Sequence, residues 1–96
     1  MFIGVLQLEL VIEGAESLKD KRRVVNSVKD RLHREHQVSV AEVAAQDNRQ
    51  LAVLGITLAS ADAAYCRVVL DKIVNKLRLG RGFVLGDHRV ELISGT

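Results

Sequence analysis

From Phe2 to Ile12 the chain alternates without a break. Gly4, Leu6, Leu8, Leu10 and Ile12 fall on one side of an extended strand; Ile3, Val5, Gln7, Glu9 and Val11 fall on the other. Both sides are apolar enough for a strand in the interior of a sheet. Gly14–Glu16 then predicts a turn, and Ser17 followed by Asp20 predicts a helix start, a hydroxyl cap with an acid in the first turn. The helix runs to about His36, with Val24, Val25, Val28 and Leu32 repeating on its buried side.

Alternation returns more weakly over Val38–Gln46, where Ala41 and Glu42 interrupt it and predict a bulge. Asp47-Asn48 predicts a tight hairpin turn, since both residue types tolerate positive φ. A third strand over Gln50–Ala59 sends Ala52, Leu54, Ile56 and Leu58 one way, and Leu51, Val53, Gly55 and Thr57 the other. Ser60 is the predicted cap of a second helix, with Asp62 in its first turn and Cys66, Val69, Leu70, Ile73 and Leu77 buried; it ends at Gly80. Phe83–Ile93 is the last strand, in one piece or in two about Gly86-Asp87.

Right-handed crossovers and a hairpin between the middle strands give an α+β fold, the two-layer βαββαβ plait. Its antiparallel sheet has the order 4-1-3-2, and both helices lie on one face. The other face is open, centred on Ile3, Val5, Gln7, Glu9 and Val11 beside Leu51, Val53, Gly55 and Thr57. Most of these are aliphatic, so a flat, wet sheet is a poor home for them. Ile3, Val5, Val11, Leu51 and Val53 are therefore the expected contact face of a homodimer.

Length, composition and the N-terminal run add to this picture. The length of 96 residues fits one domain spanning 1–96. The only aromatics are Phe2, Tyr65 and Phe83, so the core is aliphatic, and a sheet face without aromatics does not suit base stacking on the strands. Cys66 is the single cysteine, which leaves no internal disulfide and fits a reducing, cytoplasmic setting. The N-terminal apolar run carries Gln7 and Glu9 and is too short to span a bilayer, so no membrane association is expected.

Net charge is only +2, but it is unevenly spread. Residues 17–36 carry seven basic side chains against three acids, and residues 61–81 carry five against two, which leaves the strands and loops acidic. Lys19, Lys21, Arg22, Arg23, Lys29 and Arg34 form the candidate anion- or RNA-binding set. A solvated helix exterior diluted by Asp30 and Glu35 has the same pattern. Lys21 is anomalous, because helical geometry puts it within the apolar stripe of Leu18, Val24, Val28 and Leu32. It either snorkels past the sheet edge or aims its ammonium at a pocket where helix and strand ends meet.

The chain carries few candidates for reactive chemistry. Gly80-Arg81-Gly82 follows a helix, whereas a phosphate-binding loop opens one. His33 and His36 sit among cations, with His88 distant, a poor start for a metal site. Cys66 falls on an apolar helix side, and no serine lies in a nucleophile elbow. No catalytic constellation, cofactor motif or metal site is expected.

The run Ser17-Leu18-Lys19-Asp20-Lys21-Arg22-Arg23 resembles the YlxP-like family of small bacterial proteins, a domain of unknown function numbered 503. So do Val38-Ser39-Val40-Ala41-Glu42-Val43 with Asp47, and the opening Gly4-x-Leu6-x-x-Glu9-Leu10. The resemblance implies a ferredoxin-like plait in the bacterial cytoplasm. Family members are often encoded near translation-initiation and ribosome-maturation genes, which implies an RNA or ribosomal partner. It carries over no catalytic residue, and it draws attention to Ser17, Lys19, Lys21, Arg22, Arg23 and Glu42. The expectation is a dimeric binding module that meets RNA or ribosome-associated partners through its basic helices. The alternative is a small-ligand-binding or purely oligomeric regulatory plait without nucleic-acid contact.

Overall fold

A computed structural model describes residues 1–95. The elements follow as β1 (Phe2–Val11), α1 (Leu18–Glu35), β2 (Ser39–Ala44), β3 (Leu51–Ser60), α2 (Ala63–Arg78) and β4 (Val84–Ser94). They build a four-stranded sheet in the order β2-β3-β1-β4, with every pairing antiparallel. This is the ferredoxin-like α+β plait. α1 rests on β2 and β3, and α2 rests on β1, β3 and β4.

The alternation of β1 fixes the register. Leu6, Leu8 and Leu10 turn to the helices and are buried, opposite Ile56, Leu54 and Ala52 on β3. Ile3, Val5, Gln7, Glu9 and Val11 point to the open face opposite Ala59, Thr57, Gly55, Val53 and Leu51. The core is aliphatic, closed by Val25, Val28 and Leu32 of α1 and by Cys66, Leu70, Ile73, Val74 and Leu77 of α2. Gly4 lets α2 lie close on β1: a Cβ there would stand 3.0 Å from both Leu58 and Leu70 and 3.2 Å from Cys66.

Both interruptions of strand pattern are bulges within continuous strands. On β2 the register shifts between Glu42 and Ala44. On β4 it shifts so that Gly86 and Asp87 together face Glu9, whose carboxylate accepts the Asp87 backbone N–H at 3.2 Å. β4 is therefore one strand.

The expected cap of α1 forms as the sequence suggests. Ser17 Oγ accepts from the Asp20 backbone N–H at 3.1 Å, and the Asp20 carboxylate accepts from that of Glu16 at 3.0 Å. The expected cap of α2 is corrected. Ser60 stays in β3, paired with Phe2, so the helix begins later and Asp62 caps it, accepting from Ala64 at 2.9 Å and Tyr65 at 3.4 Å.

The turn after β2 is also corrected. β2 and β3 are joined through residues 45–50, and the positive φ of 58° belongs to Ala45, not to Asp47 or Asn48. Asn48 acts instead by accepting the Gln50 backbone N–H at 2.9 Å.

Candidate functional site

Three groups of charged side chains depart from this aliphatic plan. The first is centred on Lys21, which α1 delivers into the interior on the same stripe as Val25, Val28 and Leu32. It is 1% exposed. Its Nζ donates to the carbonyl oxygens of Ala45 at 2.9 Å, Leu51 at 3.1 Å and Gln46 at 3.2 Å. Glu42 Oε2, itself buried, lies 2.8 Å away as counter-charge. An ammonium has three protons, and here three carbonyls take them. Lys21 thus does not snorkel to water, and it leaves the anion-binding set because its charge is consumed inside the fold.

This lock explains the irregular connection around it. The Ala45 and Gln46 carbonyls must turn inward to reach Nζ, and Ala45 adopts left-handed backbone to do so, at a cost of about 1–2 kcal/mol. Glu42 interrupts the apolar pattern of β2 because it pairs with Leu54 on the helix side of the sheet, where Lys21 lies. The two anomalies of the sequence, a lysine in an apolar stripe and a glutamate in a strand, are two halves of one contact.

The second group ties the helices together. Lys76 of α2 donates to the Glu35 carboxylate at the end of α1, and its Nζ lies 2.9 Å from His36 Nε2. Arg31 adds an i,i+4 pair to Glu35 at 3.2 Å. Lys76, with Arg31 behind it, holds the Glu35 carboxyl below its ordinary range. Burial, helped by the Lys76 and Lys72 ammoniums and opposed by Glu35, pushes His36 down. The neutral ring is the form that accepts a hydrogen bond from Lys76. Nothing in the sequence links residues this far apart, and only packing reveals the clamp.

The third group is the outer face of α1. Lys19, Arg22, Arg23 and Arg34 are exposed and Lys29 is partly so. None has an ion-pair partner among the described residues, in contrast to Lys21 and Arg31 on the same helix. At 100° per residue these five span an arc of about 140° on the side away from the buried stripe, with Asp30 as the one acid among them. The loop after α2, turned by Gly82 at φ 85°, adds a sixth cation. There Arg81 joins Arg23, Ser27 and Phe83 around a hollow of about 240 Å³. Lys72 and Arg78 of α2 are likewise exposed and unpaired among the described residues.

The five residues expected at a dimer face share one surface. Ile3, Val5 and Val11 on β1 lie beside Leu51 and Val53 on β3; Val53 is buried within the single chain and the other four are partly buried. A hollow of about 310 Å³ opens on this side between the two bulges, with Gln7, Glu9, Val53 and Arg89 in its wall. The three histidines do not converge, and no cluster of three His, Cys, Asp or Glu is placed to hold a metal among the described residues. No described helix is long and apolar enough to cross a membrane.

A family model described as "Protein of unknown function (DUF503)" matches residues 3–90. Among curated proteins, the uncharacterised protein YlxP of Bacillus subtilis (strain 168) is 31% identical over 72 residues, 75% of this chain and 78% of that protein.

Two outcomes test the charged interior. Lys21→Met strands the Glu42 carboxylate and three inward carbonyls, and urea unfolding is expected to show a loss of about 3–5 kcal/mol. Arg22→Met, one residue away on the exposed side, is expected to change stability by no more than about 0.5 kcal/mol. A Lys21→Met loss as small as that of Arg22→Met contradicts the lock.

The clamp predicts a pH dependence. His36 and Glu35 are both depressed, so the folded chain binds fewer protons than the unfolded one. Stability is full above pH 6.5, falls as His36 protonates in the unfolded chain below that value, and falls again below 4.5 through Glu35. In His36→Gln the first fall disappears from melting curves recorded across this range, while the second remains. An unchanged first fall removes His36 as its source.

Proposed function

We propose that this chain, which belongs to the DUF503 family of proteins of unknown function, is a binding module that receives a polyanion, RNA, on its helix layer. The observation that carries the reading is the set of five unpaired cations, Lys19, Arg22, Arg23, Lys29 and Arg34, on one face of α1. A helix exterior built only for solubility interleaves both signs and satisfies many charges through i,i+4 pairs. Among the described residues such i,i+4 pairing is confined to Arg31–Glu35 on α1 and Arg67–Asp71 on α2. The five cations on the outer face of α1 have no ion-pair partner among the described residues and are free to contact phosphates.

The Lys21 lock supports the same reading. It anchors the first turn of α1 to the β2–β3 connection, so the neighbouring Lys19, Arg22 and Arg23 project from a fixed base. Phosphate contacts gain from such preorganisation, because less side-chain and backbone freedom is lost on binding. Arg81, across the hollow from Arg23, extends the basic surface towards α2. The proposed setting is the bacterial cytoplasm, where ribosomal RNA and its assembly partners are abundant and the buried, free thiol of Cys66 is stable.

Binding to a structured RNA across a salt series tests this directly. With about five phosphates neutralised, the logarithm of the affinity is expected to fall against the logarithm of salt with a slope of about −4. Arg22→Glu with Arg23→Glu is expected to weaken binding more than ~10-fold and to flatten the slope by about 2, with the circular dichroism spectrum unchanged. A flat salt response in the wild type, or equal affinity in the charge-reversed variant, overturns the reading.

A further inference from the structure

The sheet surface away from the helices differs from the basic layer in both polarity and charge. Its aliphatic side chains are Ile3, Val5 and Val11 on β1 and Leu51 and Val53 on β3, set around Gln7, Gly55 and Thr57 at its centre, and they continue to the strand ends through Val84 and Ile93, which are 61% and 43% exposed. Val43, in the bulge of β2, lies over Gly55: a Cβ on that glycine would stand 3.0 Å from Val43 Cγ1. Val43 is itself 49% exposed. Withdrawing the apolar surface that these side chains still expose from water favours association.

The charges on this face select the occupant. Glu9 is already engaged by the backbone of Asp87. Arg89 and Glu91 are exposed and have no ion-pair partner among the described residues. They stand opposite Gln7 and Val5 of β1, so both point to the open side. Their Cα atoms are ~7 Å apart along β4, one position removed from each other on the same face. A lone cation and a lone anion set this way are self-complementary.

We infer that a second copy of this chain covers the open sheet face, sheet against sheet, about a two-fold axis that crosses the strands at the level of Val90, Leu6 and Ile56. These three residues are in register across β4, β1 and β3, near the middle of each strand. An axis lying between two sheets at that level laps each strand over its own copy and reverses its direction. Arg89 of each protomer then faces Glu91 of its partner, twice by symmetry. The axis that forms these pairs also gives the largest overlap of the two sheets.

The area agrees with a stable association. Three strands about ten residues long and the six-residue β2, about 4.8 Å apart, make a face on the order of 600 Å² before side-chain relief is counted. A standard interface buries ~800 Å² on each side. The aliphatic side chains supply the driving force, and the Arg89–Glu91 pairs set the register, as charged pairs at interfaces do. A polyanion is disfavoured on this surface by Glu9, Asp87 and Glu91, and it is left to the opposite, basic layer.

Sedimentation velocity across a concentration series, with charge-swapped variants, tests the inference. The wild type is expected to sediment as a dimer at micromolar concentration. Arg89→Glu and Glu91→Arg each bring like charges together at both symmetry-related pairs and are expected to raise the dimer dissociation constant ~10-fold or more. The double swap restores opposite charges and is expected to return it to within ~3-fold of the wild type. Melting temperature, followed on the same samples, separates lost association from lost folding. A wild type that stays monomeric at hundreds of micromolar, a dimer indifferent to both single swaps, or a double swap that fails to restore association overturns the inference.

Discussion

The ammonium of Lys21 is the constraint from which much of this small domain follows. A charge taken out of water costs several kcal/mol unless the fold surrounds it with oxygen. Here the oxygens come from the Ala45, Gln46 and Leu51 carbonyls, with Glu42 as counter-ion. One side chain thereby joins the first turn of α1 to the end of β2, the following connection and the start of β3. It accounts for the left-handed Ala45, for the glutamate on the helix side of β2, and for the absence of a tight hairpin. It also sets where α1 sits along the sheet, and so which way its cations project.

The resulting molecule has two surfaces with different chemistry. The helix layer gathers lysine and arginine side chains that are unpaired among the described residues, and a second contact, Glu35 and His36 with Lys76, holds the far end of α1 to α2. The sheet surface mixes aliphatic side chains with Gln7, Thr57 and a few charges of both signs. The first suits a partner of uniform negative charge, and the second suits a partner that repeats its own pattern. Because the two lie on opposite sides of the sheet, occupation of one leaves the other free. Self-association would then present two basic layers facing outwards in opposite directions, a geometry suited to bridging two segments of one folded polyanion.

The parts of this arrangement that depend on neighbours in sequence were legible in the sequence. Alternation placed Leu6, Leu8 and Leu10 inside and Ile3, Val5 and Val11 on the open face, because a strand side chain has only two directions. Ser17 and Asp20 were readable as a cap for the same local reason. The misread features depend on distant partners. Ser60 lost the cap of α2 to Asp62 because pairing with Phe2 keeps Ser60 in the sheet. Asp47-Asn48 lost the turn because Lys21 draws the Ala45 and Gln46 carbonyls inward. Lys21 and Glu42 were each conspicuous in the sequence, yet only the fold shows that they explain one another. The clamp of Lys76 on Glu35 and His36 left no trace in local pattern at all.

In the proposed function the two surfaces divide the work, helices for the anion and sheet for the second copy. Amide chemical-shift mapping of the labelled protein during titration with a structured RNA tests this most directly, since it reports both sides at once. The expected result is that shifts concentrate on Lys19–Arg34 of α1 and around Arg81, while β1 and the open-face positions of β4 stay unmoved. Shifts that concentrate instead on Val5, Arg89 and Glu91, with α1 silent, contradict it.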